Sequence, residues 1–225
     1  MTVVIAHRGD PVGFRENTLE AFASAVTLGA DMVELDCKLT RDGQVVVVHD
    51  DTLERLWGIP ASVRDLDWRE VGAIRSGGYR TPTLAEAVDA IAVPVMVDVT
   101  SADVIEAAYA IVADAGRLGS VMFAGATAAL VRVRQLSGTA RIALTWDSQR
   151  PPGAELLSSI RPEWFNPYFQ LLAPEVVRRH HDAGIGVSVW TVDEPKDIDM
   201  VLDAGADAVI SNQVARLIAA VSQRE

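Results

Sequence analysis

The chain has 225 residues, of which 20 are basic and 31 acidic, and its formal net charge is −11. This acidic balance argues against a nucleic-acid surface or an anionic membrane face as partner, because both attract an excess of Lys and Arg. The length suits one sizeable core, and no linker rich in Pro, Gly or Ser divides the chain, so we predict a single domain over 1–225.

Cysteine usage and the N-terminal sequence bear on the compartment. Cys37 is the only cysteine, which excludes an internal disulfide and is typical of a reducing environment. No signal-peptide pattern opens the chain, and it contains no run of about 18 apolar residues that would predict a membrane span. We therefore expect a cytoplasmic protein without stable membrane insertion.

The first predicted strand is the apolar run at 3–6, which delivers His7 and Arg8 into the loop that follows. Thr18 then precedes apolar residues at helical spacing, and Gly29 follows them. A side-chain cap at the start and a glycine at the end predict an amphipathic helix of about three turns between these two positions.

A strand and hairpin at 32–49 carry the first candidate site. Glu34 and Asp36 share one face of the strand, because side chains alternate. Asp42-Gly43 between two apolar runs predicts a two-residue type I′ turn, which would place Asp36 opposite His49. Two carboxylates in an apolar strand repel each other unless a cation or protons intervene. A divalent-cation site is therefore the favoured interpretation, and a solvated acidic face is the alternative.

Residues 51–82 lack a clear period and predict a long irregular excursion with one short helix at 68–74, as is common in lids and binding segments. Thr83 and Glu86 then form a capping-box pattern that predicts a helix to Ile91. The apolar strand 95–99, which contains Asp98, follows.

From here the chain alternates regularly between strands and helices. The predicted strands are 121–123, 141–146, 164–166, 186–191 and 208–211, and the predicted helices are 101–115, 126–136, 155–160, 174–183, 194–204 and a last one that ends at 221. Without the return arm 45–49, eight strands remain, each followed by a helical segment. This pattern predicts a (β/α)8 TIM barrel with a β-hairpin extension after strand 2. An open doubly wound sheet is the alternative, although a glycine-rich phosphate fingerprint is missing after strand 1.

In a barrel, functional residues lie at the C-terminal ends of the strands. The hairpin arm would lower His49 toward the same mouth, and Trp190 would either form an apolar wall for the alcohol part of a substrate or simply pack. His180 and His181 lie at a helix end, where a solvated or dipole-facing role is favoured over ligation. The residues predicted at strand ends are His7, Arg8, Glu34, Asp36, Asp98 and Trp190.

Taken together, the motifs resemble the glycerophosphodiester phosphodiesterases in order and approximate spacing. The resemblance covers nearly the whole chain and is densest in the first 55 residues. It is carried by HRG (7–9), ENTLEAF (16–22), GADMVELD (29–36), LTRDGQVVVVHDDTLER (39–55), PTLAEAV (82–88) and WTVDE (190–194).

The resemblance implies a role for each matching residue. His7 and His49 would be the catalytic histidines, Glu34 and Asp36 metal ligands, and Arg8 the phosphate-binding arginine. Asp98 stands where the family has the third metal ligand, a Glu. Three further positions depart from the family pattern: Thr100 replaces a lysine, Met122 a serine and Asn212 an acidic residue.

The implied reaction is metal-dependent hydrolysis of a small-molecule glycerophosphodiester to an alcohol and sn-glycerol 3-phosphate, with the two histidines as general acid and base. All-oxygen ligands favour Mg²⁺ or Ca²⁺ over zinc. We expect a monomer or a homodimer. A phospholipase D-like enzyme for lysophospholipids or sphingomyelin, and a non-catalytic phosphate-binding barrel, are the alternatives.

Overall fold

Parallel strands pair side by side and close on themselves in the computed structural model, which describes residues 1–224. Eight of them form the barrel in the order β1, β2, β6, β7, β8, β9, β10, β11, and β1 pairs with both β2 and β11. This closure confirms the predicted (β/α)8 barrel over the open sheet. The strands are β1 (Val3–His7), β2 (Met32–Leu39), β3 (Val45–Val47), β4 (Thr52–Leu53), β5 (Ile59–Ser62), β6 (Val95–Val99), β7 (Val121–Gly125), β8 (Arg141–Trp146), β9 (Trp164–Pro167), β10 (Gly186–Val189) and β11 (Ala208–Ser211).

Helices cover the outside of the barrel, and a continuous apolar layer lies between them and the strands. Inside the barrel, a second buried cluster includes Ile5, Met32, Met96, Met122 and Ile210, so the lower barrel is a packed core. The helices are α1 (Leu19–Leu28), α2 (Glu54–Trp57), α3 (Trp68–Val71), α4 (Leu84–Ala90), α5 (Ala102–Asp114), α6 (Thr127–Leu136), α7 (Ala154–Ile160), α8 (Pro174–Asp182), α9 (Pro195–Asp203) and α10 (Val214–Ser222), with 3₁₀ turns at Val63–Asp65 and Phe169–Leu171.

The predicted helix caps are confirmed at α1 and α4. The Thr18 side chain accepts a hydrogen bond from the Ala21 amide, and Thr83 and Glu86 form a reciprocal capping box. Helix α1 also packs against the turn after β1. A Cβ on Gly9, whose φ is +86°, would lie 2.7 Å from the carbonyl carbon of Ala21, so only glycine fits there.

The hairpin after β2 is present, but its predicted register was wrong by one residue. Cys37 pairs with Val47, and the Val48 amide donates to the Asp36 carbonyl at 3.0 Å, so Asp36 faces Val48 rather than His49. The turn has three residues between Thr40 and Gln44. Only Gly43 has a positive φ (+84°) within it, whereas a type I′ turn needs two such residues.

Residues 51–82 are more ordered than predicted. The short strands β4 and β5 pair antiparallel, and the predicted helix at 68–74 spans Trp68–Val71. Arg15, from the loop before α1, lies over the rings of Trp57 and Tyr79 at 4.8 and 5.6 Å and fastens this segment to the barrel. The segment packs against the hairpin arm through a small buried core, made of Val46, Val48, Leu53, Trp57, Val63 and Val71. None of the helices within 1–224 is long and apolar enough to cross a membrane.

Candidate active site

A cavity of about 210 Å³, here called the central pocket, opens at the C-terminal ends of the barrel strands. Strand register brings the polar residues of the site together. His7 is beside Glu34 across β1 and β2, and Asp36 is beside Asp98 across β2 and β6. The structure thus unites residues that are up to 183 positions apart. The seven residues predicted for the site all line this pocket: His7, Arg8, Glu34, Asp36, His49, Asp98 and Trp190.

Three carboxylates share the pocket, and burial together with their proximity raises the pKa of Glu34 and of Asp98. Glu34 and Asp36 are buried, with 4% and 6% of their surface exposed. Burial, together with the charges of Asp36 and Asp98, raises the pKa of Glu34 well above its usual range. Burial and the charge of Asp36 raise the pKa of Asp98 to about 7. This cluster of acids is therefore costly to ionise without a compensating positive charge.

Arg8 supplies part of that charge from the loop after β1. Its backbone amide donates to Glu34 Oε2 at 3.0 Å, and its guanidinium Nε lies 3.0 Å from Asp36 Oδ2. Its Nη1 donates to Glu16 Oε1 at 2.9 Å. Asn17 also donates, from Nδ2 to Asp36 Oδ2 at 2.8 Å. Arg8 is thus held in place at the edge of the pocket before any anionic ligand arrives.

His7 is oriented by a relay of two residues beyond the barrel rim. Asn212 donates from Nδ2 to Asp193 Oδ2 at 2.7 Å, so its amide oxygen faces Nδ1 of His7 at 2.9 Å. His7 must therefore carry its proton on Nδ1, and the lone pair of Nε2 points into the pocket, 3.9 Å from Glu34 Oε2. Burial and the neighbouring Arg8 charge lower the pKa of His7, which favours the neutral ring.

His49 is oriented by a carboxylate instead of an amide. Its Nδ1 lies 2.7 Å from Asp50 Oδ1, and Arg55 Nε donates to Asp50 Oδ2 at 2.6 Å. The hydrogen bond from Arg55 lowers the pKa of Asp50 to about 2, so this carboxylate stays ionised. Arg55 also donates to Glu16, the partner of Arg8. A continuous ionic chain therefore joins the loop that carries His49 to the loop that carries Arg8, which directly follows His7 at the end of β1.

Six supporting residues were not assigned a role from sequence. Most of them lie in motifs that predicted secondary structure but no role in the site. ENTLEAF predicted a helix start, and WTVDE a strand end. Asn212 was noted only as a departure from the family pattern. The six residues are Glu16, Asn17, Asp50, Arg55, Asp193 and Asn212.

His180 and His181 lie outside the central pocket. His181 is hydrogen-bonded to Asp207, whereas His180 is buried and stacks on Phe165 with ring centroids 4.1 Å apart, rather than facing solvent.

The donor set of the central pocket fits a hard divalent cation in its chemistry. Glu34, Asp36 and Asp98 offer only carboxylate oxygens, and the raised pKa values of Glu34 and Asp98 show that their charge is not balanced by the protein alone. Within residues 1–224, no group of three or more His, Cys, Asp or Glu side chains is arranged so that it could hold a metal ion as it stands. One oxygen each of Glu34 and Asp36 is engaged by Arg8 or Asn17, which leaves the second oxygen of each for a cation.

Similar proteins were found by sequence. The chain is 29% identical to a glycerophosphodiester phosphodiesterase of Caldanaerobacter subterraneus subsp. tengcongensis, over 96% of both chains. It is 30% identical to a probable glycerophosphodiester phosphodiesterase 2 of Mycobacterium tuberculosis, over 94% of this chain and 87% of the relative. A stretch of 67 residues is 51% identical to a lysophospholipase D of Rattus norvegicus, but it covers only 30% of this chain and 21% of that protein.

Solved structures agree with the barrel. A glycerophosphodiester phosphodiesterase from Thermotoga maritima superimposes with a TM-score of 0.85 at 26% identity, covering 98% of both chains. An Oleispira antarctica phosphodiesterase, solved with the product sn-glycerol-3-phosphate, superimposes with a TM-score of 0.87 at 22% identity, covering 99% of this chain and 97% of that one.

A family model also matches most of the chain. The model of the glycerophosphoryl diester phosphodiesterase family matches residues 7–216, which include both histidines and the three carboxylates of the central pocket. The family model and the relatives that align over nearly the full length all indicate a glycerophosphodiester phosphodiesterase. The chain therefore belongs to the glycerophosphoryl diester phosphodiesterase family and is a phosphodiesterase.

Proposed function

We propose that the protein hydrolyses glycerophosphodiesters to an alcohol and sn-glycerol 3-phosphate, with His7 and His49 transferring the protons and a divalent cation bound at Glu34, Asp36 and Asp98. One observation carries the proposal: two histidines, each with Nδ1 engaged, line the same small pocket as three carboxylates and an arginine. The family match supports the reaction class, and the product in the Oleispira antarctica structure supports the glycerol phosphate half of the substrate.

The two histidines suit proton transfer at a phosphodiester. The alkoxide that departs is a poor leaving group unless its oxygen is protonated, and the attacking hydroxyl group or water must lose a proton. His7 and His49 both have Nδ1 occupied by an oriented partner, which leaves Nε2 of each ring as the atom that exchanges a proton. One ring acts as the base and the other as the acid, and each contributes about 10²- to 10⁴-fold to the rate.

Arg8 binds the anionic phosphate through electrostatic attraction and hydrogen bonds. Its guanidinium is fastened to Glu16 and lies beside Asp36, so it needs little reorganisation when the substrate enters. A cation held by Glu34, Asp36 and Asp98 would supply further positive charge to the nonbridging oxygens. Mg²⁺ and Ca²⁺ are the ions whose oxygen preference matches these residues.

The test is a hydrolysis assay on purified protein that has first been treated with EDTA. We expect no turnover of a glycerophosphodiester after treatment, and recovery on addition of Mg²⁺ or Ca²⁺. Full activity in a sample shown by elemental analysis to be free of metal would contradict the role of the cation. Binding of a glycerophosphodiester without hydrolysis under any metal condition would favour the non-catalytic barrel.

A lysophospholipase D activity is the second candidate, because a 67-residue stretch is 51% identical to the rat enzyme. The same assay separates the two by including lysophosphatidylcholine and bis-nitrophenyl phosphate beside the water-soluble glycerophosphodiesters. A kcat/KM for lysophosphatidylcholine above that for glycerophosphocholine would favour the lysophospholipase reading. We expect the opposite order.

A further inference from the structure

The central pocket is flanked by two open spaces. On one side, beyond Trp190, lies a pocket of about 380 Å³ lined also by Thr127 and Asp147. On the other side, beyond His49, lies a groove of about 760 Å³. We call it the polar groove, and its lining includes Lys38, His49, Asp51, Ser62, Arg64 and Ser101.

We propose that the polar groove binds the alcohol arm of the diester, and that it favours a neutral polyhydroxy alcohol. The inference rests on the proposed function, since it requires the phosphate in the central pocket. A phosphodiester has two arms, and the pocket has two flanking spaces. His49 and Thr100 line both the central pocket and the groove, so an arm that passes His49 enters the groove directly. The smaller pocket beside Trp190 then receives the glycerol arm, so Trp190 would contact the glycerol and not, as the sequence had suggested, the alcohol.

The charges of the polar groove are already balanced. Lys38 donates to Asp51 Oδ1 at 2.7 Å and to Thr100 Oγ1 at 3.1 Å. Arg64 Nη1 lies 2.7 Å from Asp103 Oδ2, and Asp50 is neutralised by Arg55. A cationic alcohol such as choline needs an uncompensated carboxylate or an aromatic cage, and His49 is the one ring among the described lining residues.

The lining also disfavours an apolar alcohol. All lining side chains that the structure describes are polar or charged. The hydroxyl groups of Ser62, Thr100 and Ser101 can each donate and accept hydrogen bonds. Arg64 Nη2 donates to Ser101 Oγ at 3.3 Å. An apolar group would strip water from these atoms without replacing its hydrogen bonds, whereas a polyol replaces them. The groove volume lies within the range of ordinary small-molecule sites, so a ring polyol fits.

The first measurement compares alcohols on the wild-type protein. We expect kcat/KM for glycerophosphoinositol to exceed that for glycerophosphocholine by at least about tenfold, which is roughly the contribution of one or two well-made hydrogen bonds. An equal or higher value for the choline ester would overturn the preference for a neutral polyol.

The second measurement tests the location of the alcohol arm. Ser101→Trp fills the groove, so the ratio of kcat/KM for glycerophosphoinositol to that for glycerophosphomethanol should fall at least about tenfold, because a methyl group does not reach the groove. Ser158→Trp is the matched control on the exposed face of α7, and it should leave the ratio at its wild-type value. An unchanged ratio in folded Ser101→Trp would overturn the placement.

Binding measurements separate this inference from the proposed function. The affinity of both esters for His7→Ala, measured calorimetrically with and without Ser101→Trp, reports on the groove when turnover is abolished. If the wild type hydrolyses neither ester but the affinity ratio still falls, the groove assignment stands and the hydrolase function fails. If the wild type hydrolyses both and neither ratio changes, the function stands and the groove assignment fails. If neither ester binds, both are overturned.

Discussion

The side chain of Asn212 determines which nitrogen of His7 faces the central pocket. The amide nitrogen of Asn212 is committed to Asp193, so only its oxygen is left for His7 Nδ1, at 2.9 Å. This arrangement differs from a carboxylate partner in one respect: it orients the ring without placing a negative charge beside it. His49 has the other arrangement, with the ionised Asp50 at 2.7 Å.

Removal of the Asn212 amide should leave the His7 ring in place but without the hydrogen bond that orients it. In Asn212→Ala we expect kcat to fall about tenfold with little change in KM, because a lost orienting hydrogen bond costs about 1–3 kcal/mol. Nitrogen NMR of the neutral His7 ring should show a mixture of tautomers in place of Nδ1–H alone. Gln213→Ala is the neighbouring control. A pure Nδ1–H spectrum in Asn212→Ala would show that the relay does not set the tautomer.

The histidines themselves should be far more sensitive. We expect His7→Ala and His49→Ala each to lower kcat by at least about 100-fold while the protein stays folded, because a positioned proton-transfer group contributes on that scale. His181→Ala is the matched control, since His181 is exposed and paired with Asp207 away from the pocket. Wild-type turnover in either pocket variant would remove that histidine from the mechanism.

Asp98 should make the metal-free protein sensitive to pH. Its pKa of about 7 in the folded state lies above the usual value of 3.8, so its contribution to stability is fully present below about pH 4 and is lost as pH rises to 7. In EDTA-treated protein, Asp98→Asn should therefore be more stable than wild type at pH 8, by roughly 4 kcal/mol, and equally stable near pH 4. Chemical unfolding at both pH values measures the difference.

The same substitution should act in the opposite direction on the metal. Asp98→Asn is expected to weaken Mg²⁺ or Ca²⁺ binding at least about tenfold by calorimetry, because a charged ligand becomes neutral. Asp98→Glu tests the reach of the side chain, and we expect it to tighten binding. Asp89→Asn, on the exposed face of α4, is the control for both measurements. Unchanged affinity in Asp98→Asn would exclude Asp98 as a ligand.

A surface pair at the start of α4 gives a prediction that is independent of catalysis. The hydrogen bonds of Glu86 to Arg80 and to Thr83 lower its pKa to about 2. A depressed carboxyl pKa stabilises the fold above about pH 4.5, and the contribution is lost as pH falls toward 2. Because Glu86 is partly exposed, we expect Glu86→Gln to cost only about 1 kcal/mol at pH 6.

The measurement for Glu86 is the pH dependence of unfolding. The difference between wild type and Glu86→Gln should shrink as pH falls below 4.5 and vanish near pH 2. Glu20→Gln, an exposed first-turn residue of α1, should show no such difference. A constant gap across this range would mean that the ionised carboxylate is not what stabilises the helix start.

The alternation of strands and helices was predictable because each barrel strand is a short apolar run bounded by a cap or a glycine. The mouth residues followed from the same pattern, since strand ends meet at one face. The hairpin register was not predictable to the residue, because Asp42-Gly43 fits both a two-residue turn and the end of a three-residue turn. That choice depends on the hydrogen bond from the Thr40 amide to the Gln44 carbonyl, at 2.9 Å, which sequence alone does not reveal.

The supporting residues of the site were missed for a different reason. Asp193 and Asn212 act together across 19 positions, and Glu16 and Arg55 across 39. No local period connects such pairs, and each residue alone is an ordinary polar residue in a loop or, for Arg55, in the short helix α2. Only the closed barrel brings these four segments to one rim, so the contacts follow from tertiary structure.

The three residues of the HRG tripeptide (7–9) have two different roles. His7 and Arg8 face the pocket, whereas the glycine after them is required because α1 passes too close for any Cβ. A relative that had lost its chemistry would still need that glycine in order to dock its first helix. Conservation of Gly9 in a relative would therefore indicate only that the barrel is preserved, whereas His7 and Arg8 would be needed for the reaction proposed above.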